Sequence, residues 1–214
     1  AGLPAGAILW RAGKTMGGET GEAGRTTGGG IGGAVARGDV AKKGLLAVFP
    51  YGNAVATIDV TGAQLLEALE AATCTTPEAI GAFPQGGGIE FTVDTTKAYD
   101  QGELYPGSTY YGPKSSQRVT IETVGGEPFD ANATYTIATN DFMAAGGDTY
   151  YAFAAASAQF DTGIPLDEAV MEYVTTELKG VIGAQYAAPQ GRILMNPFKD
   201  VKTSAWYGSY VIDL

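Results

Sequence analysis

Apolar positions change their spacing several times along the chain, and each change marks an element. Leu3, Ala7, Ile8 and Trp10 recur at near-helical intervals, which predicts a helix over Leu3 to Gly13 that opens abruptly, without a capping residue. Lys14 to Gly33 is polar and glycine-rich, without a period, and predicts a loop. Val55, Ile58 and Val60 predict a strand over Ala54 to Val60. At Thr61 the pattern switches to Leu65, Leu66 and Leu69, the buried face of a helix, and Thr61-x-x-Gln64 supplies its capping box. Thr76-Pro77-Glu78 reads as a second helix start, with proline at the first helical position.

Further on, Ile89 to Val93 and Arg118 to Val124 predict strands, and the "GGEP" after Val124 predicts a hairpin turn toward Tyr135 to Asn140. Leu166, Val170, Val174 and Leu178 repeat every four residues from a start near Pro165, so one face of a helix is committed to a core. "GRILMN" predicts a terminal strand. Strands and helices mix without βαβ alternation, which gives an α+β fold, a mixed sheet layered with helices. No internal repeat is present. One main domain over residues 1–193 and a tail over 194–214 are expected.

Composition narrows the chemistry. The 214 residues include 32 glycines, about twice the usual share, so turns must be plentiful. There are 23 acidic against 13 basic residues, a net charge of −10, with no dense Lys/Arg cluster. A nucleic-acid polymer is therefore excluded as a partner, while a single mononucleotide held by stacking and hydrogen bonds is not. Histidine is absent and Cys74 is the one cysteine. Ser/His/Asp and Cys/His nucleophile systems, His-type zinc sites and an internal disulfide are thereby ruled out, and no catalytic or metal-ligating residue is assigned. No apolar run approaches the ~20 residues of a membrane span, and no signal-peptide pattern opens the chain.

Gly28 to Gly33 spells G-x-G-x-x-G, but the predicted elements place neither a strand before it nor a helix directly after it, so a dinucleotide fold is not supported. Tyr51 and Phe142 lie in turn-rich segments at strand ends rather than on periodic apolar faces. Such rings either plug a core or offer a platform to a ligand. Asp148, after two glycines in "TNDFMAAGGDTY", either organises its own turn or binds a ligand. Cys74 reads as a small buried residue.

"GGGI", "GDV", "LAVFPYGNAVATIDVTGAQLLEALE", "GAFPQ" and "YTIATNDFMAAGGDTY" occur in the order and at about the spacing found in the carboxy-terminal domain of the 5'-nucleotidase family. The resemblance covers roughly Leu3 to Arg192. It implies a nucleoside-specificity domain whose partner, an amino-terminal metallophosphatase domain outside this chain, holds two divalent metal ions and performs the hydrolysis. It implies no cofactor on this chain. Matched position by position, Tyr51 and Phe142 resemble the two faces of a clamp around the base, Asn53 the residue at the base edge, and Asp148 the acceptor of the ribose hydroxyls. Thr27, standing where the family carries a substrate-holding asparagine, and Gly30 fall within the family's "NGGGIR" segment. Stacking tolerates different bases because each has a π-face, so a permissive nucleoside or mononucleotide site is expected.

Three glycines depart from that pattern. Gly32 replaces the family arginine, removing a phosphate contact, and Gly6 and Gly44 stand where relatives carry aspartate. Either the site has shed these groups or the residues are not glycine, which the mass of the Thr27 to Arg37 peptide decides.

The tail "FKDVKTSAWYGSYV" resembles the opening of an S-layer homology module, through Phe198, Asp200, Val201, Trp206 and Tyr210. With the abrupt first helix, it implies a piece of a larger bacterial protein, extracellular or at the cell surface, with possible cell-wall association. A second reading keeps the fold without the ligand, as a surface-layer assembly module.

Overall fold

In the computed structural model the described residues are 23–27, 29–31, 38–183 and 190–196. The helix expected at Leu3 to Gly13, Gly6, Gly32 and the S-layer-like stretch from Phe198 lie outside them.

The elements run β1 (Ala23–Thr27), α1 (Lys42–Val48), β2 (Ala54–Thr61), α2 (Gly62–Ala72), β3 (Pro84–Gly87), β4 (Ile89–Asp94), β5 (Gln101–Leu104), β6 (Tyr111–Pro113), β7 (Val119–Val124), β8 (Glu127–Pro128), β9 (Thr134–Asn140), α3 (Asp141–Ala144), a 3-10 turn (Tyr151–Ala155), β10 (Ala158–Pro165), α4 (Leu166–Thr176) and β11 (Ile193–Asn196). A five-stranded sheet has the order β10-β2-β9-β1-β3, a four-stranded sheet the order β11-β4-β7-β8, and β5 and β6 form a two-stranded arm. The first sheet is mixed, since β1 runs parallel to β9 while β2 runs antiparallel to both β9 and β10. This is the α+β, helix-layered architecture that the pattern predicts. The terminal strand β11 lies parallel to β4, at the junction between the two expected segments.

Alternation along β2 explains the layering. Ala56, Ile58 and Val60 enter the main core with Leu65 and Leu69 of α2, Ile89, Phe91 and Val93 of β4, and Ile137 of β9. Val55, on the opposite face, joins a second cluster with Leu45 and Val48 of α1 and Leu166, Val170 and Tyr173 of α4. The sheet is thus covered on both faces where β2 crosses it. Leu65 and Leu69 are fully buried, which stabilises the fold by about 1.5–3 kcal/mol each. The predicted capping box is present, with Thr61 Oγ1 accepting from the Gln64 amide at 3.2 Å and Gln64 Oε1 accepting from the Thr61 amide at 2.8 Å.

Two buried charged residues, Glu70 and Arg118, join α2 to the start of β7, each through the other element's backbone. Glu70 accepts from the backbone amides of Arg118 (3.1 Å) and Val119 (2.8 Å), so its carboxylate satisfies the start of the strand. The Arg118 guanidinium donates to the carbonyls of Thr73, at 2.6 Å, and Thr76, just beyond the end of α2. Cys74 in the same turn is half-buried, and burial pushes its thiol pKa up.

Three sequence expectations need correction. Within the expected loop, Ala23–Thr27 is a strand, because β9 and β3 pair with it on either side and supply the order that its own composition does not. Thr76-Pro77-Glu78 starts no helix. Residues 73–77 form turns, with a cis Thr76–Pro77 bond, and Arg118 holds their carbonyls. The Gly125–Gly126 turn returns the chain to β8 and not to Tyr135–Asn140, which instead pairs with β2 in the other sheet.

Candidate functional site

Five of the six predicted site residues lie on segments that meet at one end of the five-stranded sheet. Val55 at the start of β2 stands opposite Asn140 at the end of β9. β1 runs alongside β9, with Gly24 opposite Ala138, so its last residues end level with the turn that follows β9. Thr27 is opposite Pro84 at the start of β3. Segments from distant parts of the chain therefore meet there, carrying Thr27 and Gly30, Tyr51 and Asn53, and Phe142. A strand does precede the glycine run, but helix α1 begins only at Lys42 and the sheet is mixed, so the dinucleotide reading still fails. The glycine turn packs against another, Gly29 N donating to Gly81 O at 2.6 Å. A Cβ on Gly29 would stand 3.1 Å from that oxygen.

Helix α3 opens where β9 ends, because the Asn140 side chain caps it by accepting from Met143 N at 2.7 Å. This turn raises Phe142 to the surface, with its ring lying across Gly147, and Gly147 N donates to Phe142 O at 2.9 Å. Phe142 is 47% exposed and Tyr51 69% exposed, so neither fills the core. Among the described residues the two rings make no stacking contact with each other.

Asn53 links the two aromatic segments. Its Nδ2 donates to Asp141 Oδ1 at 2.7 Å, and the same oxygen accepts from Phe142 N at 2.8 Å. The Asn53 carbonyl accepts from Leu166 N at 3.0 Å, which pins the loop to the start of α4. Asp141 has no role in the sequence reading, although it lies within "TNDFMAAGGDTY". An acidic residue in the first turn of a capped helix was the available signal for Asp141.

Asp148 has φ +52, a conformation that aspartate tolerates better than most residues. Partial burial raises its carboxyl pKa. Among the described residues no hydrogen bond or ion pair reaches that carboxylate, so the side-chain bond that a turn-organising role requires is missing. Tyr110, at the tip of the β5–β6 arm, has its phenol pKa raised by burial and then by the charge of Asp148. The arm is held against the segment after Asp148 by the stacked rings of Tyr105 and Tyr151, 4.7 Å apart, while the Tyr105 hydroxyl donates to Glu67.

A carboxyl whose folded pKa exceeds its unfolded value opposes folding once it ionises. That penalty is absent at pH below the ordinary carboxylate range and complete above the raised folded pKa. Asp148→Asn should therefore raise Tm slightly at pH 7, with the difference from wild type shrinking as pH falls toward 4. Thermal denaturation at both pH values checks this, and a lower Tm for the variant at pH 7 would refute it.

Gly44 lies exposed on α1, where a Cβ would meet only Val40, at 3.6 Å, so packing does not require glycine there. Among the described residues no group of three or more Asp, Glu or Cys side chains could hold a metal ion, and no helix is long and apolar enough to cross a membrane.

Residues 6–155 match the family described as 5'-nucleotidase, C-terminal domain. The chain is 37% identical over 140 residues to the trifunctional nucleotide phosphoesterase protein YfkN of Bacillus subtilis, covering 64% of this chain and 9% of that protein. It is 32% identical over 124 residues to the protein UshA of Escherichia coli, covering 58% and 18% respectively. Its structure is similar to that of a 5'-nucleotidase precursor from Thermus thermophilus, with a TM-score of 0.68 and 27% identity, over 90% of this chain and 34% of that one. The chain thus spans about a third or less of the length of these relatives.

Proposed function

The chain belongs to the 5'-nucleotidase family through its C-terminal domain, and we propose on that premise that it is the nucleoside-holding part of an exported nucleotide phosphomonoesterase. The observation that carries the proposal is that the segments bearing Tyr51, Asn53 and Phe142 converge at one sheet end, with Asp148 next to the Gly147 that the Phe142 ring covers. In this reading Tyr51 and Phe142 stack on the base, Asn53 meets its edge, and Asp148 accepts from the ribose hydroxyls. Thr27 and Gly30 line the side toward β1. Two divalent metal ions in a separate metallophosphatase domain supply the hydrolysis, and the residues of this chain bind and orient.

The isolated chain should bind adenosine or AMP and hydrolyse neither. Phe142→Ala should cost about 1–3 kcal/mol of binding, the worth of one base-on-ring stack. Titration calorimetry on the wild type and the variant decides the matter. Equal affinities would sink the clamp, as would an absence of any heat of binding.

Placement outside a bacterial cell belongs to the same proposal, and so does the S-layer-like tail, which stands on its sequence pattern alone. The coding sequence after Leu214 tests the tail, since a continuation without the remainder of the module would end that part.

A further inference from the structure

We propose that Asp141 is a positioning residue: it fixes the Asn53 amide so that the oxygen, not the nitrogen, is the free group at the base edge. The site then prefers 6-amino purines, such as adenine, over 6-oxo purines. The inference rests on the clamp reading given above, and it concerns base choice, which stacking leaves open.

The amide can take two orientations, related by a half-turn about its last bond, and they offer opposite chemistry. A carboxylate only accepts hydrogen bonds. Facing Asp141 Oδ1 at 2.7 Å, the Asn53 side chain must present Nδ2, because the reverse orientation would set a carbonyl oxygen against a carboxylate oxygen. Asp141 is itself held by Phe142 N at 2.8 Å, and the Asn53 backbone is held by Leu166 N at 3.0 Å, so neither end of the pair is loose. Asn53 Oδ1 accepts no hydrogen bond among the described residues, and Asn53 is only partly buried. The atom left over is an acceptor.

An acceptor in that place pairs with the amino group of adenine and repels the carbonyl oxygen that replaces it in hypoxanthine. Adenosine and inosine differ at that position and in the protonation of the neighbouring ring nitrogen. They stack almost equally, so a difference between them reports on the edge and not on the rings.

The experiment is titration of the wild type, Asp141→Ala and Asp141→Asn with adenosine and with inosine. Wild type should favour adenosine by about tenfold, the scale of one hydrogen bond made or opposed. Asp141→Ala frees the amide to turn and should bring the ratio toward one. Asp141→Asn keeps a carbonyl oxygen for the same two donors and should preserve the preference.

A ligand-free signature accompanies this. The Asn53 side-chain NH₂ signal in a nitrogen-correlated NMR spectrum should be displaced by the carboxylate in wild type, revert in Asp141→Ala, and stay perturbed in Asp141→Asn. Equal wild-type affinities for the two nucleosides, with binding still dependent on Phe142, would overturn this proposal and leave the clamp intact. An unchanged ratio in Asp141→Ala would also overturn it. Binding of neither nucleoside would overturn the clamp and this proposal together.

Discussion

Glu70→Ala should lower the unfolding free energy by about 2–6 kcal/mol, the cost of two backbone amides stranded inside the protein. The substitution leaves the backbone amides of Arg118 and Val119 without their acceptor inside the protein, next to a guanidinium that stays buried. Each stranded group carries a desolvation cost of about 1–3 kcal/mol. Glu70→Gln should fall between, since one amide oxygen can still accept while the NH₂ points a donor at donors. Urea unfolding gives the comparison through shifts of the midpoint at constant slope. A loss below about 1 kcal/mol for Glu70→Ala would mean that water replaces the carboxylate.

A different kind of effect is expected at Gly147. An alanine Cβ there would lie 2.5–2.6 Å from the Phe142 ring, far inside van der Waals contact. Phe142 is half exposed, so its ring can swing away at little cost, and Tm should hardly move. Nucleoside affinity should nevertheless fall nearly as far as in Phe142→Ala, by about 1–3 kcal/mol, because the ring leaves its stacking position. The double variant should bind no worse than Phe142→Ala alone, the non-additivity that marks two changes acting through one group. Wild-type affinity in Gly147→Ala would show that the observed ring position is not the one that holds the base.

Neither effect is legible in the sequence, for physical reasons. Glu70 follows Leu69 in a strongly periodic helix, and a glutamate in such a place ordinarily faces water. Its burial depends on Arg118, 48 residues away, and no local pattern encodes that meeting. Gly147 is one of many glycines, and its use depends on the Phe142 ring folding back over it.

Local signals succeeded where the structure is local. The Thr61–Gln64 box, the strand before it and the four-residue repeat of α4 all appear as expected, because period and capping act within one element. They failed at β1, whose Arg-Thr-Thr run becomes a strand only through neighbours on both sides, and at "GGEP", where the turn was right and the partner strand wrong. Tyr51 and Phe142 stood out because they broke the periodic pattern. Asp141 conformed to it as an ordinary first-turn acid, and so its link to Asn53 was not legible.

The bond from Leu166 N to the Asn53 carbonyl has a consequence for folding experiments. The β2–β9 pairing can in principle form in a chain that stops before α4, but Asn53 would then lack one of its two tethers, and Val55 would lack the α4 side chains that cover its face. Ligand binding at the sheet end therefore reports on completed topology rather than on the presence of strands. A nucleoside that binds there should protect against whole-chain unfolding in proportion to its occupancy, and a fragment ending before Leu166 should forfeit that protection while keeping much of its secondary structure.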